Sequence, residues 1–112
     1  MRRGEVWTAA GPGYAGKPRP VVILQADCFD ATDSITVCPF TTDLTEMPLF
    51  RPRVEPNEGN GLREPSRLMA DKVMTVPKTK LGRCLGLLNR EGIVRLNQAV
   101  TVFLGLAESA AR

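Results

Sequence analysis

Arg19 stands between two prolines at the mouth of an apolar run, Lys17-Pro18-Arg19-Pro20-Val21-Val22-Ile23-Leu24-Gln25. Each proline fixes its own φ, and Pro20 drives Arg19 into an extended backbone. Val21 to Leu24 is short, β-branched and followed by polar residues, the pattern of a buried strand. A permanently charged guanidinium on a stiff strand edge is a good phosphate ligand, because its planar fork offers parallel donors. An arginine beside a strand start can equally be an ordinary solvated one, and this stretch alone leaves both readings open.

Other chemistries are excluded by residue type. The chain has no histidine, which rules out a Ser/His/Asp triad and a Cys/His nucleophile and nearly excludes the usual zinc sites. Cys28, Cys38 and Cys84 share no C-x-x-C spacing and are read as small core residues. The loop Gly11-Pro12-Gly13-Tyr14-Ala15-Gly16-Lys17-Pro18 is rich in glycine, but no Ser or Thr follows the lysine and the next element is a strand, so it is not a P-loop. No metal or other cofactor is expected.

At 112 residues the chain has room for one domain, residues 1–112, with one modest core. Its net charge of +3 is unevenly placed: residues 1–60 hold 6 basic and 8 acidic groups, residues 61–112 hold 9 and 4. A basic half suits an anionic partner, nucleic acid or acidic peptide. One tryptophan, one tyrosine and four phenylalanines leave few platforms for stacking. The charged N-terminus carries no apolar signal core and no segment is long enough to span a membrane, so a cytoplasmic protein is expected.

The positioning elements follow from periodicity and breakers. Strands are expected at Glu5–Ala9, Arg19–Gln25, Ile35–Thr41, Leu49–Val54 (weaker), Arg67–Val76 and Gly82–Leu88. Pro39 implies an edge or a bulge in the third. Asp30 and Asp33 mark one turn, and Glu55–Gly61 forms a turn cluster. The period then becomes helical: Asn89 is an N-cap, and Ile93, Leu96, Val100, Phe103, Leu104 and Ala107 share one face of a helix from about Arg90 to Leu106. Short strands followed by one helix suggest a small, strongly bent antiparallel sheet or barrel that the helix caps.

Four stretches in order resemble the MazF/PemK toxins of bacterial toxin–antitoxin pairs. They are Arg3-Gly4-Glu5-Val6-Trp7, Arg19-Pro20-Val21-Val22-Ile23-Leu24, Val37-Cys38-Pro39-Phe40-Thr41-Thr42 and the stretch from Ser66 through Asp71-Lys72-Val73 to Val76. The resemblance spans residues 3–76 and implies a mainly β fold with α, an SH3-like antiparallel barrel of the CcdB/MazF kind capped by a C-terminal helix, paired as a homodimer. It implies a metal-independent, sequence-selective endoribonuclease that cuts single-stranded RNA, leaving 2′,3′-cyclic phosphate and 5′-hydroxyl ends. A cognate antitoxin, usually acidic, would block the same groove. The family's catalytic arginine falls on Arg19 and its catalytic threonine or serine on Thr41. Thr42 is one step away, and alternation along the strand lets only one of the two face the groove. Supporting RNA contacts would fall on Arg3, Ser66, Asp71 and Lys72, with Lys17 in the loop. Where many relatives carry an acidic or amide residue before the arginine, this chain has Tyr14-Ala15-Gly16-Lys17, which suggests a different sequence preference. Tyr14 either stacks on a base or packs on the barrel.

RNA carries its own nucleophile, the 2′-hydroxyl. Arg19 and Thr41 would then act mainly by orientation and electrostatics with proton transfer through water, or Arg19 in a dry groove would shuttle the proton, since neither is an easy general base. Asp71 is the second candidate for the proton acceptor, unless it pairs with Arg67 or Lys72. Lys78-Thr79-Lys80 with Arg83 forms the densest basic patch, either an RNA backbone contact or a solvated turn. The competing reading is a non-catalytic toxin of the same fold, like the gyrase-binding CcdB proteins. Those rely on a Trp-Gly-Ile-type end, whereas this chain ends Glu108-Ser109-Ala110-Ala111-Arg112.

Overall fold

In the computed structural model, residues 1–10, 17–47 and 49–106 form a curled antiparallel sheet closed on one side by a helix. The strands are β1 (Glu5–Ala9), β2 (Arg19–Ile23), β3 (Ser34–Thr41), β4 (Arg53–Val54), β5 (Ser66–Leu68), β6 (Met74–Pro77) and β7 (Leu81–Leu87), followed by α1 (Arg90–Phe103). Their order is β4-β5-β3-β2-β1-β7, with β6 also pairing to β3. This is the small bent β fold with a C-terminal helix that the sequence implies. Tyr14 and the chain end from Ala107 lie outside the described residues. Among the described residues, no helix is long and apolar enough to cross a membrane.

Strand β3 is the hub. Its middle pairs with β2, its first half with β6 and its last residues with β5. Pro39 therefore sits in a central strand, opposite Val21, not on an edge. Its carbonyl accepts from the Met69 N–H at 2.9 Å, so its backbone faces the side where β6 leaves off and β5 begins. The missing N–H falls where the partner changes, and no ladder bond is lost.

That change of partner also divides the long strand expected over Arg67–Val76. The chain forms β5, steps across in a 3₁₀ turn at Ala70–Lys72, and resumes as β6. The expected strand over Leu49–Val54 shrinks to β4 because Pro52 has no N–H to extend the ladder.

Successive residues of β2 are buried on opposite faces. Val22 joins Val6, Cys38, Phe40, Leu68, Leu88 and Leu96, while Val21 and Ile23 join Ala9, Ile35, Val37 and Leu81. A continuous apolar run is what a strand covered on both faces requires. Helix α1 covers the first cluster with Leu96, and its Asn89 cap accepts from Gly92 N–H at 2.8 Å. The helix stops at Phe103, short of the expected Leu106. Gly105 takes φ +73°, and the Gly105 and Leu106 amides donate back to Val102 and Thr101. That is a Schellman ending. Phe103 and Leu104, expected on the buried face, are both exposed. Of the cysteines, only Cys38 is buried, its thiol pushed up to about 12 by burial. Cys28 lies on a short surface turn and Cys84 on the uncovered face of β7, so neither is a core residue.

The loop after β4 seals the open side against β7. Asn60 is buried and hydrogen-bonded through both its oxygen and its nitrogen. Its Oδ1 accepts from the Asn57 and Leu62 amides, and its Nδ2 donates to the Glu55 carbonyl. Leu87 N–H donates to Gly59 O at 2.8 Å. A Cβ on Gly86 would lie 2.2 Å from Gly59 O, and one on Gly61, at φ +70°, 2.3 Å from Leu85 O. Gly86→Ala and Gly61→Ala should each lower stability by about 1–3 kcal/mol, while Gly59→Ala stays near wild type. Urea unfolding midpoints compare the three.

Candidate nucleic-acid interface

The start of β2, the β4–β5 loop and β7 enclose an open groove of about 780 Å³. Thr8 of β1, Pro20 of β2 and Gly82, Arg83 and Leu85 of β7 line its floor and one wall, and Leu62, Arg63, Glu64 and Ser66 line the other. Thr8 lies opposite Pro20 in the β1–β2 ladder, and its hydroxyl accepts from the Arg83 N–H at 3.1 Å. A side chain at Gly82 would meet that hydroxyl at 2.6 Å, so glycine keeps the floor low.

Three guanidiniums, of Arg19, Arg63 and Arg83, line this groove with one carboxylate, Glu64. None of the four makes an ion pair or side-chain hydrogen bond among the described residues. The sequence singled out Arg19 and, within the basic patch, Arg83. It missed Arg63 and Glu64, whose signal was the charged stretch just after the turn cluster.

The other expected site residues divide. Thr42 lines the groove with Arg19, and Thr41 does not. The β2–β3 register, carried two residues past its last paired positions, nevertheless sets Thr41 across from Arg19. The Thr41 hydroxyl accepts from the Asp43 N–H at 3.1 Å, which leaves its own proton free to donate. Lys17 is exposed beside Pro18 at the groove's lip. Ser66 lines the groove but is buried, its Oγ donating to the Glu64 carbonyl at 3.0 Å.

Arg3, Asp71 and Lys72 are not brought there. Arg3 donates to the Leu24 carbonyl at 2.9 Å and to Asn97 Oδ1 at 2.6 Å, tying the N-terminus and the end of β2 to the helix. That is five residues along from Arg19, about 16 Å. Asp71 and Lys72 lie in the 3₁₀ turn that packs on α1. Both Asp71 oxygens accept from Arg51, at 2.9 and 2.8 Å. Its partner is thus Arg51, not the expected Arg67 or Lys72. Those hydrogen bonds pull the Asp71 carboxyl below its ordinary range, which makes it a poor proton acceptor. Lys72 is exposed. The basic patch splits too: Lys78 is held by the Asp30 carbonyl and carboxylate, and only Arg83 turns to the groove. Trp7 donates to Glu5 and packs on the second core cluster. Among the described residues, no three His, Cys, Asp or Glu side chains come together as metal ligands.

The curled antiparallel sheet with one C-terminal helix is the fold of the MazF toxins. Residues 2–104 match the family described as PemK-like, MazF-like toxin of type II toxin–antitoxin system, and the chain belongs to it. A relative from Mycolicibacterium smegmatis, named probable endoribonuclease MazF, is 54% identical over 108 residues, covering 96% of this chain and 99% of the relative. Among solved structures, a mycobacterial endoribonuclease in complex with its cognate antitoxin superposes with a TM-score of 0.81 at 24% identity, over 97% of this chain and 99% of that one. The Mycobacterium tuberculosis toxin MazF-mt6 gives 0.77 at 27% identity, over 90% and 96%.

The Arg51–Asp71 pair, with side chains 12% and 18% exposed, should govern acid stability. A depressed carboxyl contributes stability above its unfolded value of about 4 and loses it as pH falls toward the folded one. Asp71→Asn should lower stability by about 2 kcal/mol at pH 7 and flatten the decline between about pH 5 and 3. Urea unfolding across that range checks both.

Proposed function

We propose that this chain is the toxin of a type II pair and a metal-independent endoribonuclease that cuts single-stranded RNA at a preferred sequence. The observation that carries the reading is the groove's three guanidiniums, of Arg19, Arg63 and Arg83, unpaired among the described residues, in a chain of this family. The name of the relative at 54% identity supports it. An RNA substrate implies action in the cytoplasm.

The 2′-oxygen attacks the adjacent phosphorus, forming the 2′,3′-cyclic phosphate as the bond to the 5′-oxygen breaks. Arg19 binds the non-bridging oxygens and stabilises charge that grows on them in the transition state. A threonine hydroxyl, of Thr41 or Thr42, donates to the same phosphate. The proton leaving the 2′-hydroxyl passes to water, and the departing 5′-oxygen takes one up, because Asp71 is committed to Arg51. Without a strong base the site forgoes much of the roughly 10²–10⁴-fold that general acid–base catalysis supplies, so turnover is slow. One cut disables a messenger, so slow turnover is sufficient.

The partners are a cognate antitoxin and a second copy of the chain. An acidic antitoxin segment would compete for the same guanidiniums. The exposed Leu49, Val102, Phe103, Leu104 and Leu106 form an apolar surface at the helix end that supports a homodimer. Sedimentation should then give twice the 12.2 kDa chain mass.

Purified protein with long single-stranded RNA in EDTA should cut at a short recurring sequence and leave cyclic phosphate ends. Arg19→Ala should lose at least about 10²-fold in rate. Thr41→Val and Thr42→Val should differ, with the larger loss marking the phosphate donor. No cleavage by folded dimer would overturn the reading.

A further inference from the structure

Glu64 is the odd group in the groove. Phosphates repel a carboxylate, so on a surface built only to hold RNA backbone it opposes binding. Glu64 is also not neutralised: it lies within 4 Å of no cationic group among the described residues, although Arg63 and Arg83 line the same groove. Nor is it carried on a loose segment. Its own carbonyl accepts from the buried Ser66 hydroxyl, and four residues earlier Asn60 is locked by its hydrogen bonds and by the close approach of β7. The backbone that carries Glu64 is thus fixed while its exposed carboxylate stays free to pair, so binding has no loop to order.

We infer that Glu64 determines specificity by accepting hydrogen bonds from the Watson–Crick edge of one base beside the phosphate that Arg19 holds. The inference rests on the ribonuclease reading. In single-stranded RNA those edges are free. A carboxylate only accepts, so it selects an edge that donates through an exocyclic amine. Guanine matches best, offering N1–H and N2–H side by side to the two carboxylate oxygens. Cytosine and adenine each offer one exocyclic amine, N4 or N6, beside a ring nitrogen that accepts. Uracil's single N–H lies between two carbonyls that repel the carboxylate, so uracil is rejected. Arg63 and Arg83 supply the sequence-independent counterpart by holding neighbouring phosphates.

The test uses 2′-O-methyl nine-mers, which lack the nucleophile and cannot be cut: all-uridine, and the same strand with one central guanosine, cytidine or adenosine. Fluorescence anisotropy reads their affinities for wild type, Glu64→Gln and Arg83→Ala. Wild type should bind one of the guanosine, cytidine and adenosine strands about tenfold tighter than all-uridine, and which one identifies the base read. Glu64→Gln should shrink that ratio below about threefold while binding all-uridine at least as well as wild type. Arg83→Ala should weaken all four strands alike and leave the ratio unchanged. A Glu64→Gln protein that keeps the wild-type ratio overturns the inference while the ribonuclease reading stands, as does a wild type that binds all four strands equally. A wild type that neither binds these strands nor cuts long RNA overturns both.

Discussion

Pro39 has no N–H to give, and β3 is arranged around that loss. On one side the strand pairs with β2 without interruption from Val37 to Pro39. On the other it must change partners, from β6 to β5, where the donor is missing. A sheet strand with two successive partners on one edge cannot stay flat, because the two partners leave it in different directions. The sheet curls, and the chain between β5 and β6 has to step across in the Ala70–Lys72 turn. Arg51 and Asp71 fasten that turn to the segment before β4, and α1 packs on it. The curl, the turn and the helix seat all meet at the point where that donor is missing.

The curl creates the groove. Bringing β7 and the β4–β5 loop together needs backbone approach closer than any Cβ permits, and Gly61 and Gly86 supply it. The loop that seals the sheet then presents Arg63 and Glu64 beside Arg19 and Arg83. Sealing and charge placement are therefore one structural event. Cations with no side-chain partner among the described residues stay available to an anion, in contrast to Arg51 and Arg67, which are spent on Asp71 and on backbone carbonyls.

The cations differ in role though not in type. Arg3 resembles a groove residue by its motif, yet its guanidinium joins Leu24 and Asn97 across the far end of β2. Asp71 has the chemistry of a base, yet bidentate pairing holds it ionised and occupied. Residue type states what a side chain can do. Its neighbours decide whether it remains free to do it.

Strand β2, strand β1 and the Asn89 cap were legible in the sequence because short-range causes set them: proline φ, β-branching on both faces, and a side chain that reaches its own helix. Arg19 was legible for the same reason. The Gly105 stop was a local signal too, overlooked in favour of apolar periodicity. The break between β5 and β6 was not legible, since nothing in Arg67–Val76 shows that its partner strand changes course at Pro39. Nor were the assignment of Asp71 to Arg51, twenty residues away, and the meeting of Arg19, Arg63 and Arg83. The sequence by itself determined the element types, the family and an arginine on a stiff strand edge. Only the tertiary structure decided which charges face one groove, because that depends on how three separate segments pack around a curled sheet, and local pattern carries no record of those distances.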